Sequence, residues 1–66
     1  MKASRVEVSR DEQGKGWLVR IQVGEEVMRR HCEEAKDADE ATLRQAAVKI
    51  AAEEGYSVNA SDVIVI

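Results

Sequence analysis

The sequence predicts one small α+β domain of order βββαβ: a four-stranded, mostly antiparallel sheet with one helix packed on one face. Three observations carry this expectation. Apolar residues alternate with period two along the first half of the chain. Gly24-Glu25 interrupts that alternation with the composition of a tight hairpin turn. A single alanine-rich segment then repeats its apolar residues at helical spacing. The chain has 66 residues, and folding units cluster at roughly 100–150, so residues 1–66 are read as one domain.

Arg5-Val6-Glu7-Val8-Ser9 reads as a first, half-buried strand, and the polar stretch from Arg10 to Gly16 as a hairpin loop. Trp17 to Val23 is the second strand, with Trp17, Val19, Ile21 and Val23 on one face. Gly at the first central position of a two-residue loop fits a type II′ turn. That even loop sets Val23 against Glu26, Ile21 against Met28 and Trp17 against Cys32. The third strand, about Glu26 to Cys32, then carries Met28 and Cys32 inward. Arg30 lies between them and must reach water past an edge.

Asp37-Ala38-Asp39-Glu40 has the pattern of a capping box with Asp37 as N-cap. Ala38 to Glu54 holds no glycine or proline, and Leu43, Ala47, Ile50 and Ala51 form one stripe. Gly55 suits the left-handed position after the helix, letting Tyr56 fold back on Ile50 or Ala51. Val63-Ile64-Val65-Ile66 closes the chain as a last strand, apolar on both faces. A crossover through the helix makes it parallel to the first strand. The simplest sheet order is 4-1-2-3, and the alternative is 1-2-3-4.

Composition narrows function mainly by exclusion. One cysteine cannot close an internal disulfide, and no Cys/His cluster has zinc spacing. No apolar run approaches the ~18 residues of a membrane span, and Met1 to Arg5 leads into no signal-type apolar region. The expectation is a soluble, cytoplasmic domain without cofactor or metal. His31-Cys32 is the one nucleophile–imidazole pairing, but neighbours on a strand face opposite ways. Gly14-Lys15-Gly16 lacks the Lys-Ser/Thr ending and following helix of a phosphate loop. No catalytic residue is assigned and no enzyme is expected.

Charge offers more. The formal net charge is −3, but residues 1–32 carry net +2 and residues 33–66 net −5. Glu33, Glu34, Asp37, Asp39 and Glu40 crowd one stretch. Glu53 and Glu54 sit in the last helical turn, where the helix dipole prefers cations. These seven carboxylates form a candidate acidic patch for a basic protein surface. The alternative interface is the open sheet face, with Leu18, Arg20, Arg29, Ile64 and Ile66. There Arg20 and Arg29 could serve a nucleic-acid-binding sheet, or the last strand could pair two copies. Direct nucleic-acid binding is disfavoured because the two aromatic residues, Trp17 and Tyr56, fall elsewhere.

In layout, Gly16-Trp17-Leu18-Val19-Arg20-Ile21-Gln22-Val23, a short hairpin, an alanine-rich helix and a late strand resemble some phage-encoded anti-CRISPR inhibitors. The resemblance implies a non-enzymatic inhibitor that presents carboxylates where phosphates would lie, against a partner such as a CRISPR effector subunit. The ten basic residues depart from a pure DNA mimic. A monomer and a homodimer are both compatible with the sequence.

Overall fold

The computed structural model describes residues 1–11 and 16–66. Strands β1 (Arg5–Arg10), β2 (Trp17–Val23) and β3 (Glu26–Cys32) precede helix α1 (Glu40–Glu53). A 3-10 turn (Ala60–Asp62) then leads into a short strand β4 (Ile64–Val65). The sheet order is β3-β2-β1-β4, with β4 parallel to β1 and the other two pairings antiparallel. The α+β class, the element order and the 4-1-2-3 arrangement are those expected. Residues 12–15 of the expected hairpin loop, with Gly14 and Lys15, lie outside the described residues.

The β2–β3 register follows from the turn. Val23 pairs with Glu26, Ile21 with Met28 and Trp17 with Cys32. Gly24 has φ +59 and no non-glycine residue has positive φ among the described residues. Positive φ at the first central position alone is the type II′ pattern, whose twist matches that of the flanking strands. One added loop residue would have exposed Ile21's inward partner Met28 to solvent.

One layer of side chains joins sheet and helix. Val6, Val8, Val19 and Ile21 are fully buried beneath Leu43, Ala47 and Ala51, with Trp17, Cys32 and Val63 completing the core. Alanine on the helix lets the two backbones approach closely, so a short chain fills its core without large residues. The expected stripe holds, except that Ile50 is only half-buried.

β1 takes in Arg10, expected in the loop, because Arg10 pairs with Trp17. Two further boundaries differ from expectation, each for a long-range reason. The N-cap is Asp39, whose carboxylate accepts the Thr42 N–H at 2.8 Å, and not Asp37. The Ala35 carbonyl accepts both the Ala38 N–H at 3.0 Å and the Trp17 indole N–H at 2.9 Å. This closes a turn through Lys36-Asp37 and delays the helix. Glu40 accordingly sits in the first helical turn, 3.5 Å from Arg44 one turn on. The last strand is also shorter than Val63–Ile66. Val63 N–H still bonds Ala60 at the end of the 3-10 turn, while Ile66 N–H reaches the Val8 carbonyl at 2.8 Å.

The helix C-terminus ends as expected. Gly55 takes φ +90, its N–H bonds Ala52, and Tyr56 N–H reaches back to Ala51. These 5→2 and 6→1 bonds are a Schellman motif. Beyond it, Ser57 bridges the N-terminus, accepting from Ala3 at 3.0 Å and donating to the Met1 carbonyl at 2.9 Å.

Candidate functional site

Helix α1 covers one side of the sheet, and none of the described elements lies over the other side. The registers place the open-face residues in rows. Across the middle run Arg29, Arg20, Glu7 and Ile64. Gln22 lies between Val27 and Arg5 on one side of that row, and Leu18 lies between His31 and Ser9 on the other. Antiparallel sheets commonly leave one face in water, but that face then alternates polar residues. Here Val27, Ile64 and Ile66 are exposed apolar residues, so the face has an apolar margin around a cationic centre.

Glu7 organises that centre. Its two carboxylate oxygens accept from Arg5 and Arg20, each at 2.9 Å. The Arg20 hydrogen bond, with a smaller contribution from Arg5, holds the Glu7 carboxyl below its ordinary value of 4.5. A lowered carboxyl pKa stabilises the fold fully above its unfolded value, and the contribution fades as the pH falls below it. The Glu7 contribution should therefore be lost as the pH falls below 4.5, and the acid limb of the stability profile should be shallower in Glu7→Gln. A circular-dichroism acid titration of both chains measures this, and identical slopes would contradict it.

Arg29 stands apart. It lies directly across from Arg20 and has no carboxylate partner among the described residues. Like charges directly opposite on neighbouring strands destabilise a sheet by some tenths of a kcal/mol. One carboxylate thus serves two of the three arginines, and the outermost is left available.

The seven expected acidic residues fall into two groups. Glu33, Glu34, Asp37, Asp39 and Glu40 surround the start of α1, while Glu53 and Glu54 lie at its far end, about 20 Å along the axis. Asp39 is engaged in capping, and the Thr42 N–H holds its carboxyl below the usual range. Arg30 donates to Glu54 at 2.9 Å and to Glu53 at 3.3 Å. This explains why two carboxylates sit against the helix dipole: their cation comes from β3. Arg30 also gains the outlet that an inward-facing charge on β3 requires. Two features in the sequence pointed to this pairing, a cation on the apolar face and a carboxylate pair lacking a cation, but no local spacing connects them.

Around the β1–β2 connection, Arg10 stacks over Trp17 at 5.2 Å and Asp11 lies 3.4 Å from His31. Cys32 is buried and His31 exposed, so the two side chains face opposite ways. Among the described residues, no three His, Cys, Asp or Glu side chains gather as metal ligands would. No helix among the described residues is long and apolar enough to cross a membrane. Compared with known protein families, characterised proteins and solved structures, the chain matches none.

Proposed function

We propose that this protein is a non-catalytic protein-binding module whose open sheet face takes an acidic partner surface. Arg29 and Arg20 receive the partner's carboxylates, and Leu18, Val27, Ile64 and Ile66 supply the apolar contact. The observation that carries this reading is the Arg20–Arg29 pair. It costs the free fold stability and is relieved when an anion sits between the two guanidinium groups. A protein partner is favoured over nucleic acid because the face has no Phe, Tyr or Trp ring on which a base could stack, its one imidazole, His31, lies against Asp11, and it bears an apolar margin.

A second reading is the inhibitory one, in which the acidic end of α1 occupies a partner's nucleic-acid-binding surface. Glu33 and Asp37, exposed carboxylates that neither cap the helix nor pair along it, favour it.

Arg29→Glu separates the two. Facing Arg20, the new carboxylate should raise stability by up to about 1 kcal/mol, while partner affinity falls about tenfold or more. Affinity capture from producing cells, with the wild-type chain, Arg29→Glu and a Glu33→Lys/Asp37→Lys chain as baits, is the test. Loss of the partner with Arg29→Glu alone supports the sheet face. Loss with the lysine chain alone overturns it in favour of the acidic end, and recovery of nucleic acid in place of protein overturns both.

A further inference from the structure

The outer edge of β3 is a second surface, distinct from the open face and independent of its partner. A two-residue hairpin makes Val23 and Glu26 a hydrogen-bonded pair, and such pairs alternate along the ladder. Glu26, Met28, Arg30 and Cys32 therefore bond to β2, while the backbone groups of Val27, Arg29 and His31 point outward from the sheet. β3 has seven residues and is one end of the sheet, whereas the opposite edge, β4, has only two. Helix α1 lies mainly over β1, β2 and β4, so Met28 on the flank of β3 remains half-buried.

We propose that β3 pairs antiparallel with β3 of a second copy, centred on Met28, joining the two sheets into one of eight strands. The choice of register follows from charge. Centred on Met28, the pairing sets Glu26 against Arg30 of the other copy, twice by symmetry, with Met28 against Met28 between them. On the open face it sets Val27 beside Arg29. Centring on Arg29 would oppose two arginines, and shifting one residue further would oppose Arg30 to itself, both unfavourable. Centring on Val27 opposes no like charges but pairs only residues 26–28 of the strand and leaves Glu26 facing Met28; the Met28-centred register is the one that sets both Glu26 residues against Arg30. The Arg30 guanidinium uses one N–H group for Glu54 and another for Glu53, so its Nε–H is left for Glu26 of the other copy. In this register 26, 28 and 30 are the non-hydrogen-bonded positions, where facing side chains stand closest.

A ladder this short buries less than the ~1,200 Å² of a standard interface, so dissociation is expected near roughly 10⁻⁴ M. Light scattering of the wild-type chain up to about ten times that concentration should show mass rising from 7.3 kDa towards twice that value. Glu26→Arg should weaken the association about tenfold or more, because two attractive pairs become repulsive. The register is read by oxidation of Met28→Cys, where Cα atoms ~4.5 Å apart permit a disulfide. It should cross-link in high yield, while Ile66→Cys, on the far edge, should not. Circular dichroism confirms that each variant is folded. A wild-type mass of one chain at every concentration overturns the proposal. So does cross-linking at position 66 in preference to position 28, which would move the contact to the last strand.

Discussion

Ile21→Ala should leave the chain predominantly unfolded at room temperature. Ile21 is fully buried in β2, with Val6 across from it on β1 and Met28 on β3. Truncating a buried isoleucine costs about 2–5 kcal/mol, the larger values where surrounding side chains cannot collapse into the void. Here they cannot. Two strands flank the position, and the helix above it presents mainly alanine, which has no longer side chain to swing in. Domains below about 70–80 residues rarely hold more than ~3–5 kcal/mol in total, so one such loss consumes most of it. Urea titration followed by circular dichroism should show a cooperative transition for wild type and none, or one close to zero urea, for Ile21→Ala. Leu18→Ala, three residues away along β2 on the open face, should shift the midpoint only slightly. Equal effects at the two positions would contradict the assignment of the core to the helix side.

Gly16→Ala is expected to be nearly as damaging although it adds only one methyl group. Gly16 has φ +92, and a Cβ built there would lie 2.5 Å from the Cys32 carbonyl oxygen. That oxygen belongs to the last residue of β3, so it moves only if the strand end moves. Adverse backbone conformation and overlap together cost about 3 kcal/mol. Gly24→Ala is the control: φ is +59 and no atom lies within 4 Å of the added carbon. It should lose about 1 kcal/mol, the conformational term alone. Thermal melts of both variants measure the difference, and equal losses would show that the contact with Cys32 does not form.

These two glycines also mark how far local sequence reached. Gly24 was legible because turn chemistry and strand alternation on either side agree on one register, and that register decides which residues of β3 face the core. The stripe of α1 and its Gly55 terminus were legible for the same reason: every residue involved lies within one or two helical turns. The start of α1 was not. By pattern Asp37 is the cap, with Glu40 three residues on, and the shift to Asp39 falls to the Ala35 carbonyl, held by an indole from β2. The crowding at Gly16 depends in the same way on a residue sixteen positions further along.

The candidate site divides along the same line. The opposed Arg20 and Arg29 followed from the register, and so did Glu7 beside them. The acidic half, a single patch by composition, is split by the length of α1, and Arg30 from β3 accounts for Glu53 and Glu54. An ion pair 23 or 24 residues apart leaves no periodic trace in a sequence. What remains unengaged among the described residues is Arg29 on the sheet and a smaller acidic cluster, chiefly Glu33, Glu34 and Asp37, at the start of the helix.

The sheet-face reading meets its most direct test in amide chemical-shift mapping of the labelled chain with its captured partner. Perturbations centred on Leu18, Arg20, Val27, Arg29 and Ile64, weakening as salt is raised, are the result expected. Perturbations confined to residues 33–40, with β2 and β3 unchanged, would contradict it.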